Sequence, residues 1–377
     1  MTKHERIILD KLIENPMLSQ SELAEMLHIT RSSVSVYISH LMQTGHIRGR
    51  GYVIENQETI YVIGTAGIDY RTVIDENIIL SPNTTTSLED YELSVSYGGI
   101  AKNLSENFHR MGHSVSCICA VGSDVQGKEL LDECRQTGID VSDSLIIPAA
   151  KSSTYLEIRS LDMKRILLRT ANMALQRQIT PDFLLSKHHK LSHARAVIVE
   201  DSLTSDTMRH VSSNYSPSLL ICAKPKRVSR YSSFLKQFNG LVSSLEIAGI
   251  ILDEPEPIPM DDKSVFNALM RLQAKVSGPI LLCYGNCHIA YSDNYNMSIC
   301  SYSSPHHNAS LYAHYRDSVA AGFFHCLFRG IDGDDLLKWV CACREIVAMT
   351  PSTFNPFMCQ ELVSSVIESK EFSIRYR

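Results

Sequence analysis

No stretch of this 377-residue chain approaches the roughly 18 consecutive apolar residues that cross a bilayer, so no membrane partner is expected. Nor does the amino terminus, MTKHERIILDKLIENP, have the continuous apolar segment of a secretory leader; it carries acids and amphipathic spacing, and a cytoplasmic protein is expected. A strong charge of one sign is missing too. At a net charge of -5 the chain has no global bias toward nucleic acid or anionic lipid, and any such binding must come from a local patch. Paired cysteine spacing is also missing. The eleven cysteines sit mostly inside apolar stretches such as SVSCICAV and WVCACREIV and read as reduced core residues. No metal site is expected: Cys283, Cys287 and His288 form the nearest approach to a zinc cluster, and neither they nor His306 and His307 have a second matching pair. There is no internal repeat and no low-complexity segment. What is present is 44% apolar and 20% charged residues, in a length beyond the usual single domain, which suggests two folded units.

The first unit is expected at 1–56. Residues 4–15 put Ile8, Leu9 and Leu12 on one helical face, with Pro16 just beyond. Ser19 to Glu22 has the form of a capping box ahead of Leu23, Met26 and Leu27. Thr30 caps a third helix with Val34, Ile38 and Leu41 inward, leaving Arg31, Ser32, Ser33, Ser35 and Ser39 along the remaining surface; it ends at Gly45. Residues 46–54 read as a two-strand wing carrying Arg48 and Arg50. Between Met26 and Ile54 there is no Asp or Glu, so a local positive face survives in an acidic chain. Two short helices joined by a tight turn, the second of them polar, resemble winged helix-turn-helix domains. The resemblance implies duplex DNA as partner, with Arg31, Ser32, Ser33 and Ser35 toward the groove and Arg48 and Arg50 on phosphates or the minor groove. A small helical docking module is the alternative, since three arginines are a modest electrostatic footprint.

In 57–377, apolar strand-like runs (61–66, 115–121, 196–199, 219–222, 280–283) alternate with helical stretches (102–111, 125–137, 204–211, 262–274), which predicts a three-layer α/β sheet. Segments near 70–97 and 154–169 interrupt the alternation with β-like patterns and read as a small sheet, a lid. Farther on, in YAHYRDSVAAG (312–322), Asp317 stands where an apolar helix starts, with Val319, Phe323, Cys326 and Leu327 marking one buried face. A carboxylate there either caps a helix or marks a place where phosphate meets a general base.

Tyr97-Gly98-Gly99-Ile100-Ala101-Lys102-Asn103 puts two glycines at a helix entrance, letting backbone approach a ligand. Gly64 and Asp69 precede it; Ala120-Val121-Gly122-Ser123-Asp124 with Gly127, and Thr137-Gly138-Ile139-Asp140-Val141, follow. In this order and spacing these phrases resemble the ribokinase or PfkB family of carbohydrate and nucleoside kinases, over about 58–350. With the amino-terminal module, they resemble its pseudouridine-kinase-like branch. The resemblance implies a ribokinase-like sheet with a β lid. It implies Asp69, Gly98, Gly99 and Asn103 on a sugar, Thr154 and Tyr155 on the lid, and Asp317 as the base for transfer from ATP and Mg2+.

The family pattern breaks on the phosphate side. The family's Gly-Ala-Gly-Asp run supplies bare amides as an anion hole; here His314, Tyr315 and Arg316 precede Asp317. Arg316 offers an anion contact instead, but losing one preorganised donor costs roughly 10²–10³ in rate. The Asn of an Asn-x-x-Glu motif is missing near 240–246, leaving Glu246. An acidic residue after the strand near Cys222 is replaced by Ala223, followed by Lys224-Pro225-Lys226-Arg227. The turn at Cys283, Tyr284 and Gly285 keeps its Gly on the nucleotide side and has Cys283 where the family usually carries a hydroxyl. Two functions follow as expectations. One is a transcriptional regulator whose kinase-like domain binds a nucleoside or sugar with impaired phosphotransfer, expected to be a homodimer. The other is an active ATP-dependent nucleoside or sugar kinase.

Overall fold

The computed structural model describes residues 1–15, 18–47, 59–75, 91–161, 165–172, 174–285, 287–305, 312–350 and 355–377, with only the backbone of Glu14 and of 312–314. Arg48, Arg50 and most of the expected wing, lid residues 78–90, Asn286, His306 and His307 lie outside the described residues. The chain divides into two compact units, Met1–Thr59 with His193–Arg195, and Ile60–Ser192 with Ala196–Arg377.

In the first unit, α1 (Lys3–Glu14), α2 (Gln20–Leu27) and α3 (Arg31–Gln43) each start on a hydroxyl cap. Thr2 with Glu5, and Ser19 with Glu22, form complete capping boxes, satisfying amides that a helix start leaves unpaired. His28 takes the left-handed conformation that ends α2, at φ 54°. The core is small and wholly aliphatic, with Ile8, Leu12, Leu23, Val34, Ile38 and Leu41 meeting from all three helices. Arg31 and Ser32 are exposed at the head of α3; Ser33 is half-buried and shares its hydroxyl with the Thr30 cap, and Ser35 is half-buried.

The second unit opens with β1 (Ile60–Gly64), β2 (Gly67–Ile74), β3 (Ser94–Gly98), α4 (Ile100–Arg110), β4 (Val115–Gly122) and α5 (Val125–Gln136). Next come β5 (Leu145–Ile147), β6 (Thr154–Ser160), β7 (Ile166–Asn172), β8 (Ala196–Glu200), α6 (Ser205–Asn214), β9 (Ser218–Ile221), β10 (Leu241–Ser244) and α7 (Leu245–Ile251). The last run is α8 (Asp262–Gln273), β11 (Ile280–Tyr284), β12 (His288–Ser292), β13 (Met297–Tyr302), α9 (Tyr312–Arg329), α10 (Gly333–Ala348), α11 (Gln360–Ser369) and β14 (Phe372–Tyr376).

Ten strands form one sheet in the order β14-β13-β12-β11-β10-β9-β8-β1-β4-β5, parallel from β5 to β11 and antiparallel beyond. Its central strands β1, β4, β8 and β11 are buried along their whole length, as expected for strands covered on both faces. The alternation predicted this α/β sheet, and the resemblance implied its ribokinase-like form. A separate four-stranded sheet, β3-β2-β6-β7, is the lid. Because β1 has β4 on one side and β8 on the other, the chain leaves it in opposite directions, and the carboxyl end of β1 is a topological switch point where open α/β sheets bind ligands. Ten of the eleven cysteines are buried. No helix is long and apolar enough to cross a membrane among the described residues.

One expectation is corrected. Asp317 does not stand at a helix start: α9 begins at Tyr312 and carries Asp317 in its second turn. Every residue from Tyr315 to Cys326 is buried, so α9 is a core helix enclosed all round, packed against α4 and α10, rather than one with a single apolar face.

Candidate functional site

The switch point gathers its polar groups from three strand ends and two helices. Gly64 ends β1 and Thr65 follows it; Glu200 ends β8, and Asp201 and Ser202 follow. Gly64 is required here because a Cβ on it would collide with the Glu200 carboxylate. Thr65 donates from its backbone N–H and, over 2.6 Å, from its hydroxyl to Glu200 Oε1. Glu200 is buried, and burial raises its pKa against the opposing effect of those two bonds. Its Oε2 has no hydrogen-bond partner among the described residues.

Thr65 also closes the start of α4. Its carbonyl accepts from the Ala101 amide at 3.0 Å, and its hydroxyl oxygen accepts from the Ile100 amide at 3.1 Å. The glycine pair has internal work as well. Gly99 adopts φ +105°, and a Cβ there would lie 2.5 Å from the Thr65 carbonyl oxygen; a Cβ on Gly98 would lie 2.5 Å from Asp69 Oδ2. A Cβ at either position would thus meet the protein's own atoms, those of Asp69 and Thr65.

Asp69, on β2, is opposite Ser96 of β3 and beside Tyr155 of β6. Burial pushes its pKa up to about 6; Arg71, which donates to Oδ2 over 2.7 Å, pulls the other way, and the charge of Asp317 adds to the rise. On the lid, the Tyr155 hydroxyl donates to Glu157, which also accepts from Arg159 at 2.6 Å and Arg169 at 2.7 Å. Burial alone would raise the Glu157 pKa, but these three donors hold it at about 2. Tyr155 thus spends its proton inside the lid.

Asn103 and Asp317, 214 residues apart in sequence, meet directly: Asn103 Nδ2 donates to Asp317 Oδ2 at 2.9 Å. The other carboxylate oxygen, Oδ1, accepts from Arg316 through Nε at 2.8 Å and Nη2 at 2.7 Å. Both side chains of this ion pair are buried, and both Asp317 oxygens have donors. The residue before them is equally fixed. Tyr315 is buried with its ring 3.9 Å under the guanidinium of Arg344, which donates to the Gly285 carbonyl at 3.1 Å. Where the family has glycines, two of the three replacements here are structural members of a core helix.

A magnesium nucleotide fits this arrangement poorly. The amides of Arg316 and Asp317 lie too far inside α9 to be among the four unpaired N–H groups of a helix start. A guanidinium already occupies the carboxylate that would face the transferring phosphoryl group. Glu246, in the first turn of α7, is exposed, and Gly285 (φ +50°) has its carbonyl engaged by Arg344.

Sequence reading missed the pair Glu200 and Asp201. The strand was ended at Val199, one residue before the acids; two consecutive buried acids at the carboxyl end of a central parallel strand were the signal available. Asp201 is fully buried and accepts from the amides of Ala223 (2.7 Å) and Lys224 (3.0 Å) and from Arg227 (2.9 Å).

A winged helix-turn-helix DNA-binding family model matches residues 1–48, and a pfkB family carbohydrate kinase model matches residues 57–213. The uncharacterized sugar kinase YeiI of Escherichia coli (strain K12) is 26% identical over 97% of this chain and 99% of its own. The pseudouridine kinase of the same organism is 20% identical over 84% of this chain and 99% of its own. Among solved structures, a carbohydrate kinase from Agrobacterium tumefaciens has a TM-score of 0.66 at 17% identity, covering 84% of this chain and all (100%) of that one, which is a likeness of fold.

Proposed function

Because this chain joins a winged helix-turn-helix domain to a pfkB-family carbohydrate kinase domain, we propose that it is a DNA-binding transcriptional regulator whose kinase-like domain binds a sugar or nucleoside and transfers phosphate poorly. The observation that carries the reading is the engaged carboxylate of Asp317, with Arg316 on one oxygen and Asn103 on the other. A general base must accept a proton from the attacking hydroxyl, and both oxygens of this one already accept hydrogen bonds, one of them from a buried guanidinium that weakens it as a base. Phosphoryl transfer depends on preorganised positive groups around the phosphate, and in this chain that region is a filled helix.

The ligand can regulate only by binding DNA-competent and DNA-incompetent states with different affinity. The DNA face is Arg31 and Ser32 at the exposed head of α3, with Arg48 and Arg50 following. A homodimer reading paired half-sites is part of the proposal, and its site of action is the cytoplasm. The kinase reading keeps one specific support: Asp317 and Asn103 are both retained and in contact, and the relatives above carry kinase names.

A coupled phosphotransfer assay with ATP, Mg2+ and a panel of nucleosides and sugars decides between the two. Wild type is expected to turn over no faster than Asp317→Asn. Turnover that disappears in Asp317→Asn would make the protein a kinase.

A further inference from the structure

Past the carboxyl end of β8 lies a cavity of about 310 Å³ whose lining includes Arg177, Ser202, Lys224, Arg227 and Arg230. Its lining contains four cations and no acid. Asp201, which accepts from Arg227, is fully engaged, by the Ala223 and Lys224 amides on Oδ2 and by that guanidinium on Oδ1. Arg230 donates to backbone carbonyls, those of Asp201 (3.4 Å) and Ser202 (3.3 Å). Like charges are thus held together with one shared carboxylate to offset them, and both basic groups whose titration responds show it. The pKa of Lys224 is lowered by burial and then by Arg227 and Arg316, and that of Arg230 by burial and then by Arg227 and Arg177.

The wall also carries buried polar atoms with nothing to bind. Ser202 is 1% exposed and Gln176 5% exposed, and neither Ser202 Oγ nor Gln176 Oε1 has a hydrogen-bond partner among the described residues. Buried polar groups are nearly always satisfied, and an orphan in a ligand-sized cavity points to what the cavity takes. The hydroxyl can donate to an anion, and the amide oxygen can accept from an alcohol. Both lie on the same wall as the arginines.

We propose that this cavity holds the phosphate of a sugar phosphate, so that the domain's ligand arrives already phosphorylated. Arginine guanidinium groups match phosphate oxygens bidentately, which a neutral sugar does not require. A volume near the lower end of the ~300–1,000 Å³ usual for ligand sites suits a sugar phosphate better than a nucleotide. Arg316 lies near enough for its charge to act on Lys224 of the lining. The inference deepens the regulator reading and rests on it for the identity of the ligand-binding domain.

The test is titration calorimetry on the full chain with pentose and hexose monophosphates, the corresponding free sugars, and inorganic phosphate. At least one sugar phosphate is expected to bind tenfold or more tighter than both its parent sugar and inorganic phosphate. Arg177→Ala, at an exposed position, and Arg230→Ala are each expected to weaken that binding about tenfold or more, the loss of one charged hydrogen bond. Lys226→Ala, a neighbour outside the lining, leaves it unchanged. The proposal is overturned if no phosphate binds tighter than its sugar, if inorganic phosphate binds as well (an adventitious anion only), or if the preference survives Arg177→Ala with Arg230→Ala. Phosphotransfer measured on the same preparations separates the two readings: sugar-phosphate binding accompanied by turnover sinks only the regulator reading, and absence of both sinks only this one.

Discussion

The opening turns of α4 and α9 carry the residues proposed to meet sugar and phosphate, and they treat the backbone in opposite ways. At α4, glycine is kept: Gly99 sits at φ +105°, and Gly98 leaves its Cβ position to Asp69. At α9, the Gly-Ala-Gly run of the family is replaced by His314, Tyr315 and Arg316, of which Tyr315 and Arg316 are buried, and the helix runs back to Tyr312. The difference separates two reasons for having a glycine. Those at α4 are demanded by the protein's own atoms, Thr65 and Asp69, and ligand loss would not release them. The resemblance assigns those before Asp317 to a phosphate, and no atom of the described residues demands them here, where Tyr315 and Arg316 pack into the core.

The largest expected effect tests the filled entrance. Arg316→Ala strands a buried carboxylate and is expected to cost about 3–5 kcal/mol in urea unfolding, with Arg316→Ala combined with Asp317→Ala recovering part of the loss. A cost below about 1 kcal/mol would mean the pair does not hold α9, and the contrast between the entrances would go with it.

Asp69 sharpens the open entrance through pH. Its folded pKa of about 6 lies above its ordinary value of 3.8, so the folded state holds this proton more tightly than the unfolded state. Its contribution to stability is fully present below about pH 4 and is lost as pH rises through 6. Subtracting the stability curve of Asp69→Asn from that of wild type should reveal a decline of about 3 kcal/mol across that window, because each tenfold gain in proton affinity is worth about 1.4 kcal/mol. A flat difference would mean that Asp69 is not desolvated against Gly98.

Gly99→Ala is expected to cost about 1–3 kcal/mol, because the backbone is strained for any side chain and the new methyl meets the Thr65 carbonyl. Gly330→Ala, also at positive φ (+69°) but with nothing within 4 Å, should cost about 1 kcal/mol. Equal losses would assign the whole effect to backbone conformation and none to the close approach. The smallest stability change belongs to the other unit. Arg31→Ala, exposed at the head of α3, should alter stability by less than about 0.5 kcal/mol while lowering the salt slope of DNA binding by about one, read by fluorescence anisotropy.

Sequence legibility followed the range of the interactions. The caps of α1 to α3 and the buried strands of the central sheet were readable because capping and periodicity act within a few residues. The depth of Asp317 in α9 was not, because YAHYR has no helical apolar period of its own, and what buries it is remote in sequence: Arg344 over the ring of Tyr315, and Asn103 on Asp317. The basic cavity was half visible. Lys224 and Arg227 stood out where an acid was expected, but only folding brings Arg177 and Ser202 to them. The juxtaposition of Asp69 with Gly98 was out of reach for the same reason, since it depends on the pairing of β2 with β3.

The interlock of Arg316 with Asp317 also has a bearing on history. Rebuilding a phosphate loop at this place would require the guanidinium to leave, and whichever residue changed first would leave its partner as an unpaired charge in a dry core. An ancestor could cross that gap only with stability in reserve, so a lineage that acquired this pair would drift along the branch it had entered more readily than return to the one it left. The pair acts as a ratchet on descent, set by two side chains joined at 2.7 and 2.8 Å.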